Sequence, residues 1–195
     1  MSFRPKYVLF AGICKVLKVV FWIAALISPL SMRIRIKRSK ELLKRTLDTT
    51  LVIVDMQPSF AASALVLPDV MDEVKLALQN DWAIVILEFY NQGPTYPCIL
   101  ELAKQSRRHT VETKFKNGGE REIRVACQRL NLPTARFRVC GVNTHACVSA
   151  TVNGIAKTYA QSMVVVVQNA CAHTLRQNNW RKFFRFKSFR VVPAV

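Results

Sequence analysis

Six short apolar runs, separated by stretches of helical periodicity, constrain this chain more than any other feature. The runs are Leu51–Val54, Ala83–Leu87, Thr110–Glu112, Phe137–Cys140, Met163–Val167 and Arg190–Val192. Their apolarity is continuous rather than alternating, which is the pattern of strands covered on both faces, as parallel strands are. Helical patterns fall between them, over Asp69–Asn80, Cys98–Ser106, Glu120–Leu130, Thr144–Tyr159 and Leu175–Phe186. Pro68-Asp69 and Gly118-Gly119-Glu120 read as helix starts. Regular β-α alternation predicts a three-layer α/β/α, Rossmann-like fold around a six-stranded parallel sheet. No repeat or low-complexity linker interrupts the pattern. Residues 46–195 therefore read as one domain, and residues 1–45 as a basic, apolar extension.

In an open sheet of this kind, chemistry gathers beyond the carboxyl ends of the strands, near the point where strand order reverses. Asp55 ends the first predicted strand, Glu88 the second and Lys114 the third, and Cys147 follows the fourth. The order 3-2-1-4-5-6 puts Asp55 and Cys147 on adjacent strands, about 4.8 Å apart across the sheet. Lys114 is then two strands from Asp55, a gap its side chain can bridge. Cys147 falls in the first turn of a helix that begins at a strand end. Unpaired backbone N–H groups and the positive helix end favour thiolate over thiol at such a place. Three groups from distant positions converge, which is the physical content of a triad and points to a cysteine hydrolase.

Three blocks carry a resemblance. They are Leu51-Val52-Ile53-Val54-Asp55-Met56-Gln57-Pro58-Ser59-Phe60, Val111-Glu112-Thr113-Lys114, and Cys140-Gly141-Val142-Asn143-Thr144-His145-Ala146-Cys147-Val148 with Val164-Val165-Val166-Val167-Gln168-Asn169-Ala170-Cys171. In order and spacing, from about Leu51 to Ala172, they resemble the isochorismatase-like (nicotinamidase-related) cysteine hydrolase superfamily. The resemblance implies Asp55 as general base, Lys114 as the cation that holds it, and Cys147 as the nucleophile that forms a thioester. It also implies an oxyanion hole from the N–H groups of Ala146 and Cys147, and a cis peptide between Val142 and Asn143. Gln57, Phe60, Glu88, Tyr90 and Asn143 are the candidate substrate-binding residues. Glu88 has two open readings, a substrate contact or a partner for a local basic residue.

The departures from the family narrow the chemistry. Metal-dependent nicotinamidases carry an Asp-x-His…His constellation after the second strand. Here the segment is Glu88-Phe89-Tyr90-Asn91-Gln92-Gly93-Pro94-Thr95-Tyr96-Pro97, without histidine. No metal site and no cofactor are expected. Isochorismatases proper lack the nucleophilic cysteine, so Cys147 argues for C–N cleavage in a small amide or carbamoyl compound instead. His145 is two residues from Cys147, so it points elsewhere on the helix and reads as a rim residue. His109 and His173 lack ligand-like spacing. The six cysteines form no CxxC pair. Free thiols in a reducing compartment are expected, with Cys127, Cys140 and Cys171 buried.

Charge raises the rival readings. The net charge is +17, and all twelve acidic residues lie at or before Glu122. Up to Leu47 there are eleven Lys/Arg and one Glu. Residues 8–30 are long enough and mostly apolar enough to span a bilayer, but Lys15 and Lys18 each cost about 2.5–3.5 kcal/mol near its centre. A single-pass anchor, an interfacial helix and a non-native extension upstream of Met32 all stay open. Arg33-Ile34-Arg35-Ile36-Lys37-Arg38 would keep an anchored catalytic domain cytoplasmic. A second basic cluster, Arg176 to Arg190, is interleaved with Trp180, Phe183, Phe184, Phe186 and Phe189. It reads as packed aromatics with solvated charges, with no specific nucleic-acid partner. The alternative to the hydrolase is a catalytically silent relative serving as a basic, membrane- or nucleic-acid-associated binding module. Redox sensing by Cys147 would need Cys140 or Cys171 as an exposed resolving partner. A homo-oligomer is an expectation of the resemblance alone.

Overall fold

Thr49–Val54 (β1) is wholly buried and forms the centre of a six-stranded parallel sheet in the computed structural model, which describes residues 49–173, 180–183 and 189–192. The other strands are Ala83–Phe89 (β2), His109–Lys114 (β3), Arg136–Val142 (β4), Met163–Ala172 (β5) and Phe189–Val192 (β6). Their order is β3-β2-β1-β4-β5-β6, as the alternation predicts. Between them run Ala61–Gln79 (α1), Pro97–Ala103 (α2), Glu120–Leu130 (α3) and Ser149–Thr158 (α4). Helices α1 and α2 pack on each other, as do α3 and α4, so the sheet is covered in two pairs.

The core explains the continuous apolar runs. Val52, Ile53, Ile84, Val85, Ile86, Val139, Val164 and Val166 are all fully enclosed. Each such aliphatic side chain contributes about 1.5–3 kcal/mol by leaving water. β3 is the edge strand of that end of the sheet, and its Val111 stays exposed. One charged pair crosses the core away from the strand ends. Glu73 of α1 accepts from Nε and Nη2 of Arg138 of β4, the latter at 2.7 Å, and the guanidinium lies 6.0 Å from the Trp82 ring centroid. Cys127, Cys140 and Cys171 are buried, as expected.

Two helix expectations need correction. Pro68-Asp69 does not start the first helix. α1 begins at Ala61 and runs through Pro68. The proline is on the exposed side, where water can take the Ala64 carbonyl that loses its partner, while Ala62, Ser63 and Val66 bury the opposite side. The predicted helix Thr144–Tyr159 is also not uniform. It opens with a π turn, Thr144–Val148, before α4. Of the predicted Leu175–Phe186 helix, the described part is a 3₁₀ turn at Trp180–Phe183, with Phe183 in the core. The segment 8–30 and most of the C-terminal basic cluster lie outside the described residues. Among the described residues, no helix is long and apolar enough to cross a membrane.

Candidate active site

The sheet reverses its order between β1 and β4, and both strands end in unusual backbone. Asp55 has φ +52°, a left-handed conformation rare outside glycine, held by its N–H donating to Leu87 O at 2.9 Å. Across from Val54, Gly141 has φ +118°, and a Cβ there would lie 2.1 Å from Val54 O. Only glycine lets β4 approach β1 so closely. One residue further on, the Val142–Asn143 peptide bond is cis, and the π turn follows. Single π turns inside helices recur at functional sites.

Lys114 reaches this point from the end of β3. Its Nζ is 2.9 Å from Asp55 Oδ2, and both side chains are completely buried. The ammonium also donates to the carbonyls of Lys116 at 3.1 Å and Asn117 at 3.4 Å, so three oxygens lie around it. The Phe89 ring lies 4.4 Å from Nζ and closes the remaining side. Asp55 also interacts electrostatically with the Cys147 thiol, which itself donates to Asn117 Oδ1 at 3.9 Å. Burial raises the Asp55 carboxyl above its ordinary value, against the Lys114 charge and the thiol hydrogen bond, which pull it down. The carboxylate is thereby a better proton acceptor than a solvated one.

The thiolate expected at Cys147 is not favoured. Its thiol is pushed up to about 11, first by burial and then by the charge of Asp55, with Lys114 opposing. The helix-end argument is outweighed: burial and Asp55 raise the thiol further than the Lys114 charge and a backbone hydrogen bond from Asn143 lower it. Ala146 N–H and Val148 N–H both donate to Asn143 O, at 3.0 and 3.2 Å. Amides counted as stabilisers of an anion are closing the turn instead. The same bond engages Ala146 N–H, one of the two expected oxyanion donors.

The expected substrate-binding residues divide. Gln57 is fully buried, its amide donating to Phe89 O and Gly93 O and accepting from Phe89 N–H, so it braces the 89–93 loop. Glu88 Oε1 accepts from Thr95 N–H at 2.7 Å, a loop contact that neither sequence reading foresaw. Phe60 packs edge-on against Phe89 at 6.4 Å, beside Lys114. Tyr90 is half exposed and packs on Phe115, ring centroids 4.8 Å apart. Asn143 caps the turn with its carbonyl. His145 turns to His173 and Phe183, at 5.2 and 6.2 Å. Cys140 and Cys171 are buried, so neither meets the exposure condition for a resolving thiol. A cleft of about 310 Å³ lined by Leu78, Asp81, Gln105, Ser106 and Arg107 lies at the opposite end of the strands, before β2 and β3.

One neighbour escaped the sequence reading. Asn117 Oδ1 is 3.9 Å from Cys147 Sγ. An asparagine before Gly118-Gly119 reads as turn chemistry, which hid it. The usable signal was its distance from Lys114, since three residues of loop must double back over the strand ends.

No family model matches the chain, and no curated protein matches it. Solved structures do. An isochorismatase from Pseudomonas putida KT2440 aligns with TM-score 0.61 and 14% identity, over 76% of this chain and 89% of that one. N-carbamoylsarcosine amidase from Thermoplasma acidophilum aligns with TM-score 0.59 and 14% identity, over 75% and 96%. The nicotinamidase of Staphylococcus aureus aligns with TM-score 0.56 and 13% identity, over 64% and 84%. At such identity the likeness establishes the fold.

Proposed function

We propose that this chain, whose fold is the isochorismatase-like α/β fold, is a metal-independent cysteine hydrolase that cleaves a C–N bond in a small amide or carbamoyl compound. Asp55, Lys114 and Cys147 are its triad. One observation carries the reading: a fully buried carboxylate is paired at 2.9 Å with a lysine ammonium at the strand ends, and its charge acts on the buried thiol of Cys147. An ion pair kept only for stability has no need of a thiol.

Because the resting cysteine is a thiol, proton transfer and attack occur together. Asp55 takes the Sγ proton as sulfur bonds to the carbonyl carbon, and Lys114 holds the carboxylate in place. The backbone N–H of Cys147 stabilises the oxyanion, and that of Ala146 does so by sharing its bond to Asn143 O. Asp55 returns the proton to the departing nitrogen as the C–N bond breaks. The acyl or carbamoyl group remains on sulfur as a thioester. Water, deprotonated by Asp55, then attacks the thioester and restores the thiol. The segment from Glu88 to Pro97 has no histidine, so it offers none of the imidazole ligands on which the metal-dependent relatives rely.

The test is ammonia release from a panel of small carboxamides and carbamoyl compounds, with and without EDTA. Release that survives EDTA and disappears in both Cys147→Ala and Asp55→Asn supports the reading. Release that persists in Cys147→Ala sinks it. So does loss on EDTA treatment, for its metal-independent part.

A further inference from the structure

At the amino end of the sheet, Trp82 Nε1, Thr49 Oγ1 and Arg136 Nε are buried and have no hydrogen-bond partner among the described residues. They stand side by side. Thr49 opens β1 and is the register partner of Arg136, which opens β4. Trp82 precedes Ala83, the partner of Thr50, so it enters β2 beside Thr49. The row lies on the face that α1 covers. Arg138, two residues from Arg136 and so on the same face, is held there by Glu73 of α1, and the Trp82 ring is 6.0 Å from its guanidinium. Strands are about 4.8 Å apart, so an indole rooted at β2 that reaches a side chain of β4 passes over β1, where Thr49 lies.

Charge at this end is unbalanced. Both oxygens of Glu73 are committed to Arg138. Asp81, next to Trp82, is held by Arg108. Burial and the charge of Arg138 both work against the guanidinium of Arg136. Indole and guanidinium nitrogens only donate, and a hydroxyl can donate too. Buried donors without acceptors are costly, so a row of them calls for a common acceptor. A water molecule accepts two hydrogen bonds and brings no charge. A tetrahedral phosphate offers a separate oxygen to each of three donors rooted on three strands, and it balances the surplus charge. Arg136 is half-buried, so the approach from solvent runs past its side chain.

We infer that Trp82, Thr49 and Arg136 form a phosphate-binding site at the amino ends of β2, β1 and β4, for free phosphate or the phosphoryl group of a larger molecule. Arg136 turns outward to admit the anion and then donates to it, with Thr49 Oγ1 and Trp82 Nε1 as the inner donors. The site lies at the opposite end of the sheet from Asp55 and stands independently of the hydrolase reading.

NMR of the full chain with isotope-labelled indole nitrogens tests this. The Trp82 Nε1–H resonance is assigned by its loss in Trp82→Phe. It is followed as potassium phosphate is added, with potassium chloride holding the ionic strength constant. The parent protein gives a saturable shift of that resonance. Affinity falls about 10–100-fold in Arg136→Gln, the range for a lost charged hydrogen bond, and about fivefold in Thr49→Val, which removes the hydroxyl and keeps the shape. Methyl phosphate separates the two sources: a matching shift supports a site that takes phosphoryl groups of larger molecules, and a shift with inorganic phosphate alone supports a site for the free ion. A Trp82 resonance that phosphate does not move overturns the inference and leaves water as the partner of these groups. An affinity that either folded variant leaves unchanged overturns it as well, because phosphate is then collecting elsewhere on a chain of net charge +17.

Discussion

The protein buries two oppositely charged pairs, and they are built differently. Glu73–Arg138 closes on itself. Two guanidinium nitrogens meet two carboxylate oxygens, the Trp82 ring lies beside them, and both side chains are nearly sealed. Asp55–Lys114 is sealed as completely, yet Asp55 receives a single lysine contact, and its buried carboxylate oxygens have no further hydrogen-bond partner among the described residues. Planar, bidentate arginine suits the first task, because its fork saturates the carboxylate. A lysine suits the second, because its point charge holds a carboxylate while leaving lone pairs for a proton to visit. Both sites desolvate charge; only one keeps an acceptor available. The lesson is that burial alone does not separate a working ion pair from a structural one, whereas unfinished hydrogen bonding does.

The largest expected break between the pairs is in turnover. Asp55→Asn should lower kcat by about 10²–10⁴-fold, the range general-base removal gives. Replacing Glu73–Arg138 by Leu and Met together should leave kcat within a few-fold, read on the same amide. Next come single substitutions. Arg138→Met strands a buried carboxylate and should cost about 3–5 kcal/mol in urea unfolding. Lys114→Met should cost a similar amount and abolish turnover besides. The double apolar replacement of Glu73 and Arg138 is the sharper case, since it should be neutral or stabilising by up to about 4 kcal/mol. A loss of several kcal/mol there would mean that the closed pair supplies more than its geometry.

The smallest effect has the most informative sign. Asp55 must be ionised to accept a proton, and burial raises it, so the acid limb of kcat/KM should lie above the ordinary aspartate value of 3.8. The alkaline limb should follow the loss of the Cys147 proton, near 11. Because Asp55 pushes the thiol up, Asp55→Asn should move the alkylation profile of Cys147 to lower pH even as turnover collapses. An alkylation profile that instead moved to higher pH in the variant would show that Asp55 favours the thiolate, against the ordering of charges described here.

The fold was legible because its signal is long and redundant. Four buried runs, two edge runs and the helices between them leave one economical architecture, and Gly141 falls where the backbones of β4 and β1 meet. That Lys114 reaches Asp55 was legible for the same reason, since strand ends can be counted. What escaped depends on which atoms face which. The ionisation of Cys147 was misjudged because a helix start does not reveal how deeply the thiol is buried or that the Asp55 charge acts on it. Gln57 was a candidate for substrate, and Glu88 for substrate or a local basic residue; the bonds their side chains make to the 89–95 loop depend on packing that the sequence does not display. Pro68 misplaced a helix start because the exposed side of a helix tolerates what its buried side does not.

The π turn at Thr144–Val148 has a consequence for how such a chain can change over generations. A π turn holds one residue more than the α-helical turn it interrupts, so it behaves as a single-codon insertion lodged at the nucleophile. Deleting one residue there would let the helix wind regularly into α4. It would also rotate every preceding residue by about 100° relative to those that follow. The helix would gain regularity while Cys147 swung away from Asp55. The placement of Cys147 therefore rests on the length of the chain at that turn, and one lost codon would move it while leaving Asp55, Lys114 and Cys147 all encoded.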